Sequence, residues 1–210
     1  MEDWSDEMKE SGNHKCHWYE KMKNKGLIVK LAVNDLNIAY GMIQCVPIDY
    51  STAKGHNLYF IDCIWVHGYK EGLGNYQKTG TGKALLKAAE DDIRSKGADG
   101  LVAWGLSMPI WMKASWYKKQ GYKRIDKNGM AVLMWKKFNE NAEPPTWIKE
   151  VKHPQPKANK GKVTVVAFYN GRCQVPLIML ERARRAASRF GEQVVFEVIN
   201  TFDRDVFLEW

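Results

Sequence analysis

Residues 77–83 read Gln-Lys-Thr-Gly-Thr-Gly-Lys, and the residue pattern differs on the two sides of this stretch. Residues 57–66, before it, are rich in β-branched and aromatic side chains, which favour a strand. After it, apolar residues recur at helical spacing. They place four side chains on one helical face: Leu85, Leu86, Ala89 and Ile93. The sequence therefore predicts a strand, a glycine-rich turn and a helix in succession.

A turn of this kind favours a phosphate site. Glycines let the backbone approach an oxyanion, and the first free amides of the following helix point at its charge. A P-loop is excluded because Gln77 and Ala84 stand where it needs Gly and Ser or Thr. A dinucleotide fingerprint is weak because Leu85 replaces its third glycine. The structural alternative is a tight surface turn before an ordinary helix.

Further helices and strands are predicted on both sides of the glycine-rich turn. A helix is predicted over residues 5–24, followed by strands over 26–33 and 37–46. Beyond the helix that starts near Ala84, we expect a strand at 101–106, a helix at 109–120 and a strand at 130–138. This order of elements predicts an α/β fold.

Gln77-x-x-Gly80-x-Gly82 between a central strand and a helix resembles motif A of the GNAT N-acetyltransferases. The resemblance covers roughly residues 15–138 and implies the GNAT acyl-CoA N-acyltransferase fold, with flanking helices on a mixed central sheet. It also implies acetyl-CoA as cosubstrate, with its pyrophosphate on the turn and its pantetheine arm along a splayed strand. The cofactor-binding residues implied are Ile64, Trp65, Val66, Gln77, Lys78, Thr79, Gly80, Thr81, Gly82, Lys83 and Ser107.

The chain departs from the family pattern in two places. About six extra residues separate Val66 from Gln77, which predicts an enlarged loop over the phosphate site. The family's first strand and first helix have no counterpart, so we expect a fragment or a trimmed variant.

Two catalytic residues follow from the resemblance. Tyr117, four residues before the Gly121-Tyr122 pair, matches the family's general acid, since a phenol can protonate the departing thiolate. Asp62, a lone acid in an apolar strand, is the candidate base. The alternative for Tyr117 is a structural role, in which its ring packs and its hydroxyl forms a hydrogen bond. The alternative for Asp62 is a structural aspartate that is paired or lies at an edge of the sheet. Ser107 can instead cap the next helix, and Trp116 can line an acceptor pocket or belong to the core.

Residues 162–210 are predicted to form a separate segment after a linker. The proposed division is an acetyltransferase domain at 1–138, an extended proline-containing linker at 139–161 and a partial thioredoxin-like strand–helix–strand segment at 162–210. A GNAT domain followed by such a segment resembles the YoaP-like acetyltransferases. Cys173 precedes the predicted helix, but no second cysteine completes a Cys-x-x-Cys redox motif. We therefore interpret Cys173 as a small buried residue.

Composition narrows the functional classes. The net charge is +8 but is not concentrated on one segment, so nucleic-acid binding is not predicted. No apolar run reaches the roughly 18 residues of a membrane span, and the start does not resemble a secretory signal. The four cysteines show no paired spacing, and the histidines show no metal-ligand spacing. We therefore expect a cytoplasmic protein without a metal.

The function predicted is acetyl transfer from acetyl-CoA by direct attack of an amine. The expected partners are a small-molecule or peptide amine acceptor and, as one option, a second copy of the chain. The alternative is a module that binds an acyl-CoA or a protein without turnover.

Overall fold

The computed structural model describes residues 5–108, 112–149, 154–157 and 159–210. They form two compact units: the sheet unit, residues 25–149, and the terminal unit, which joins residues before 25 to those after 149. In chain order the elements are α1 (Asp6–Met22), β1 (Ile28–Val33), β2 (Ala39–Pro47), β3 (Ala53–Lys54), β4 (Leu58–Val66), α2 (Thr81–Ser95), β5 (Gly100–Leu106), α3 (Ala114–Lys119), β6 (Lys123–Asn128), β7 (Ala131–Lys137), β8 (Thr146–Trp147), β9 (Val163–Tyr169), α4 (Gln174–Ser188), β10 (Val194–Asn200) and α5 (Arg204–Glu209).

A mixed six-stranded sheet organises the sheet unit. Its strand order is β1-β2-β4-β5-β7-β6, in which only the β4–β5 pair is parallel. The β4–α2–β5 connection supplies that parallel pair, because parallel strands need a crossover connection, usually a helix. The predicted α/β class, a mixed sheet with flanking helices, is confirmed.

The two central strands separate after a short paired stretch. β4 and β5 pair only through Leu58–Phe60 and Gly100–Val102. A bulge lies in β4 just beyond, because Cys45 pairs with Ile61 and Gln44 with Cys63, leaving Asp62 without an opposite residue on β2. A bulge bends its strand and increases the local twist. The result is a cleft that opens toward the ends of β4 and β5.

Both helices of the sheet unit pack on the same face of the sheet. The predicted apolar face of α2 is buried, and Tyr117 and Tyr122, at and just after α3, belong to the same core cluster. Leu101 and Ala103 of β5 contribute to it from the sheet and are fully buried. Tyr122 donates a hydrogen bond to Glu90 at 3.0 Å, and Lys136 binds the other oxygen of that carboxylate at 2.7 Å. The cluster therefore fixes α2 and α3 beside the cleft.

The helix predicted over 109–120 is shorter than expected. It begins at Ala114, because Met112 has a left-handed φ of 47° and Lys113 is extended and bridges Leu106. Residues 109–111 lie outside the described residues. The prediction of one long helix was wrong because the hydrogen bond of this segment to β5 competes with helix formation.

One edge strand was missed entirely. β6 reads Lys-Arg-Ile-Asp-Lys-Asn and pairs with β7 at the outer edge of the sheet. Charged residues are common on edge strands, where they discourage pairing with other chains. The same charges hide the alternation that identifies a strand in sequence.

Part of the predicted linker packs on the sheet unit. β8 pairs with β3, and the amide of Ile148 donates to the Thr52 carbonyl at 3.1 Å. Ile148 is buried, and the amide of Trp147 donates to Asp126 at 3.0 Å. Residues 146–149 are thus ordered by the sheet, and the unit extends further along the chain than the predicted boundary at residue 138.

The terminal unit is a strand–helix–strand segment with α1 packed on it. β9 and β10 are parallel, and α4 connects them. α1 belongs here because Trp18 and Met22 are buried and His14 binds Glu181 of α4 at 2.7 Å. The sequence had placed this helix with residues 25–138. Cys173 is exposed at the start of α4, so its interpretation as a buried residue is wrong.

Among the described residues, no helix combines the length and apolar character that a membrane crossing requires.

Ile93→Ala tests the core contact between α2 and the sheet. Ile93 is fully buried, so the truncation leaves a cavity and should lower the free energy of unfolding by about 2–5 kcal/mol. Urea denaturation followed by tryptophan fluorescence measures the change. Leu36→Ala is the matched control, since Leu36 is 77% exposed and should change stability by less than about 0.5 kcal/mol. Equal losses in the two variants would contradict the placement of α2.

Candidate active site

The start of α2 presents free backbone amides. Gly80 precedes the helix with a left-handed φ of 92°, a conformation that glycine adopts without strain. The first helical bond runs from the Ala84 amide to the Gly80 carbonyl at 3.0 Å. Within the described part of the chain, the amides of residues 80–83 have no hydrogen-bond partner. Together with the helix dipole, these amides can hold an anion.

Two lysines add positive charge to this helix start. Lys78, with a left-handed φ of 63°, and Lys83 both border the same cavity. Neither forms an ion pair with another described residue. Two uncompensated cations beside free amides favour a ligand that carries more than one negative charge.

The cavity at the cleft has a volume of about 510 Å³, which is within the range of small-molecule sites. It is bordered by the end of β4, the glycine turn and α3. The lining residues are Ile64, Trp65, Val66, Tyr76, Gln77, Lys78, Gly80, Gly82, Lys83, Met112, Lys113, Trp116 and Tyr117. One side of this cavity is therefore the edge of β4 that pairs with no strand among the described residues, and the other side is a short helix.

The side chains of three predicted cofactor residues do not line this cavity. Thr79 and Thr81 line a neighbouring cavity beside β1, where their hydroxyl oxygens are 2.8 Å apart. Ser107 donates a hydrogen bond to the Met130 carbonyl at 3.2 Å and lines a cavity next to β7. Its side chain does not cap α3, which begins seven residues later.

Tyr117 is the most unusual polar group of the site. Its side chain is 2% exposed, it lines the cavity, and its hydroxyl has no hydrogen-bond partner in the part of the chain that the structure describes. Burial, and to a smaller extent Cys45 and Cys63, raise the pKa of this phenol well above its usual value near 10. The hydroxyl is thus a neutral donor at physiological pH. Because this hydroxyl borders the cavity, it is placed to hydrogen-bond to a ligand that binds there.

Asp62 lies on the other face of the sheet. Its carboxylate accepts a hydrogen bond from Gln44 at 3.4 Å, whereas its neighbour Ile61 packs with Cys45 in the cluster that contains Tyr117. Side chains alternate between the two faces of a strand, and Ile61 faces the cluster, so the side chain of Asp62 points away from Tyr117. Asp62 is not among the described residues that line the cavity.

Sequence reasoning missed several residues of the cavity. Tyr76, in the enlarged loop, stacks on Tyr40 with ring centroids 4.0 Å apart. Met112 and Lys113 were predicted inside a helix, and nothing in their residue types marks them as site residues. For Trp116 the sequence left two roles open, a pocket residue or a core residue. The structure shows both, because Trp116 lines the cavity and packs against the core cluster.

The described side chains include no group of three or more His, Cys, Asp and Glu residues that could hold a metal ion.

Comparison with known proteins gives structural matches only. No protein-family model and no curated protein matches the sequence. Among solved structures, PaiA N-acetyltransferase from Thermoplasma acidophilum in complex with coenzyme A is 22% identical, with a TM-score of 0.46. The match covers 64% of this chain and 80% of the PaiA chain. A GNAT-family acetyltransferase from Staphylococcus aureus Mu50 is 14% identical, with coverages of 66% and 98% and a TM-score of 0.45. The GNAT-family YhbS from Escherichia coli with CoA is 10% identical, with coverages of 64% and 76% and a TM-score of 0.46.

Tyr117→Phe tests the burial of the phenol through the pH dependence of stability. Because the folded-state pKa is raised, the tyrosine favours the folded state less as pH rises above its unfolded value near 10. From pH 8 to pH 11 the variant should therefore gain stability relative to the wild type, by up to about 1.4 kcal/mol per pH unit above pH 10. Urea denaturation across this range measures the difference.

Tyr69→Phe is the control, since Tyr69 is 72% exposed and its substitution should leave the pH dependence unchanged. A difference between wild type and Tyr117→Phe that stays constant from pH 8 to pH 11 would contradict the burial of this hydroxyl.

Proposed function

We propose that the sheet unit is an acetyltransferase of the GNAT type that moves the acetyl group of acetyl-CoA to an amine. The observation that carries the proposal is the unpaired, neutral Tyr117 hydroxyl in the same cavity as the free amides at the start of α2. An anion site and a buried proton donor at one cleft are what cleavage of an anionic thioester requires. The strand geometry of β4 and β5 supports the same function.

The cosubstrate is proposed to bind along three features of the cavity. Its pyrophosphate lies on the amides of residues 80–83, with Lys78 and Lys83 beside it. Its pantetheine arm follows Ile64–Val66, since this part of β4 has no partner on β5 among the described residues and can pair with amide groups of a ligand. Its thioester then lies near Tyr117.

The reaction is proposed as a direct attack. The amine nitrogen bonds to the thioester carbonyl carbon, the carbon–sulfur bond breaks, and the electron pair stays on sulfur. The Tyr117 hydroxyl hydrogen-bonds to that sulfur and gives it a proton, which solvent later restores. Its raised pKa makes it a weak acid, so the hydrogen bond to the developing thiolate is its larger contribution.

Asp62 is proposed to take the proton that the amine loses. It lies on β4 two residues before Ile64, on the face opposite Tyr117. An acceptor approaching from that face would reach the thioester from the side away from the phenol. This arrangement separates base and acid, as a reaction that removes and donates a proton requires.

The acceptor is proposed to be a small-molecule or peptide amine. Assembly with a second copy, and the YoaP-like character of the terminal unit, remain predictions from the sequence.

Lys83→Ala tests the anion site. Loss of a charge-assisted contact to the pyrophosphate should weaken CoA binding about tenfold or more, measured by isothermal titration calorimetry. Lys87→Ala is the matched control, because Lys87 lies one turn further along α2 and pairs with Asp91 at 2.8 Å. Equal affinities for CoA in the two variants, or no CoA binding by the wild type, would refute the proposed site.

Tyr117→Phe tests the donor. Turnover with a panel of amines should fall about 100-fold, the usual contribution of a general acid, whereas the Kd for CoA should stay within about threefold. Phe keeps the ring in the core, so folding is preserved. Normal turnover together with weakened CoA binding would contradict the assignment, and CoA binding without turnover on any amine by the wild type would favour a non-catalytic module.

A further inference from the structure

After β5, the chain folds back along the edge of β5 that faces β4. The amide of Leu106 donates to the Met112 carbonyl at 2.7 Å, and Leu106 and Lys113 form a parallel bridge. The opposite edge of β5 is already paired with β7, where Leu106 lies opposite Ala131. Residues 112–114, here named the strap, therefore lie inside the cleft between the two diverging strands.

Gly105 allows the strap to lie this close. A Cβ at this position would be 2.8 Å from the Ala114 amide nitrogen and 2.8 Å from the Met112 carbonyl oxygen, distances that Cβ atoms do not tolerate. Met112 takes a left-handed φ of 47°, which costs free energy for a side-chain-bearing residue. Met112 is held in this conformation against the backbone of Gly105, which has no side chain to separate them. We therefore take the position of the strap to be fixed by the fold.

The strap forms one wall of the proposed active site. Met112 and Lys113 line the cavity together with Trp116 and Tyr117, and Ile64 and Val66 line it from β4. If Tyr117 marks the thioester sulfur, the acyl group bonded to that sulfur lies in the space that these side chains enclose. On the β5 side, Met112 and Lys113 of the strap border this space, so a longer acyl chain that extends in this direction meets them.

We infer that Met112 limits the length of the acyl group and so determines the specificity of the enzyme for short acyl-CoA thioesters. This inference rests on the proposed function. The physical basis is steric, because a packed pocket discriminates against each added methylene by roughly 10- to 200-fold. Met112 touches the acyl group in this arrangement and does not move a proton.

Binding of thioesters tests the inference without an identified acceptor. The probes are CoA, acetyl-CoA and butyryl-CoA, and the measurement is isothermal titration calorimetry with the full chain. The wild type should bind CoA and acetyl-CoA with similar Kd values and butyryl-CoA at least about tenfold more weakly. In Met112→Gly the Kd for butyryl-CoA should fall about tenfold, with the Kd for CoA unchanged.

The variant is expected to fold, because glycine adopts the left-handed conformation at this position without strain. Met112→Ala should give the same direction of change. Met130→Ala is the matched control, since Met130 is 58% exposed, lies outside the cavity lining and should leave all three affinities unchanged.

The outcomes separate the two claims. Wild-type protein that binds none of the three compounds refutes the proposed function itself. Wild-type protein that binds all three equally, or a Met112→Gly variant with unaltered discrimination, overturns the inference while leaving the proposed function in place.

Discussion

The separation of β4 from β5 is the constraint on which the site depends. Two parallel strands that stayed paired along their length would leave no cavity between the glycine turn and α3. Here the pairing ends at Phe60 and Val102, and the bulge at Asp62 bends β4 away from its neighbour. Backbone groups of β4 that would otherwise bind β5 become available to an extended ligand, and the helices beyond each strand form the walls of the cleft.

The core cluster places two buried tyrosines beside the cleft, and they differ in their hydrogen bonds. Tyr117 is enclosed by the same contacts that fix α3, and its hydroxyl, which borders the cavity, has no hydrogen-bond partner among the described residues. Tyr122, five residues later, is equally buried but binds Glu90. The contrast indicates that the core can satisfy a buried phenol where one is structural. Local rules that fail at one position while they hold at its neighbour are typical of functional sites.

Sequence reasoning found the elements with strong periodicity and missed those shaped by tertiary contacts. The helical face of α2 and the long strand before Gln77 are determined by local patterns. The charged edge strand β6 and the strap after β5 are determined by pairing with β7 and with Leu106, which no local pattern encodes. For the same reason the turn and Tyr117 were identifiable from motifs, whereas Met112 and Tyr76 enter the cavity only through the path of the chain.

The proposed function requires the amides at the start of α2 to bind the diphosphate of a nucleotide thioester. Amide chemical shifts recorded by ¹⁵N-correlated NMR during a titration with CoA test it most directly. If CoA binds there, the resonances of Gly80, Thr81, Gly82 and Lys83 should move together with those of Ile64–Val66 and saturate at one equivalent. Saturable binding that leaves these amides unmoved would contradict it.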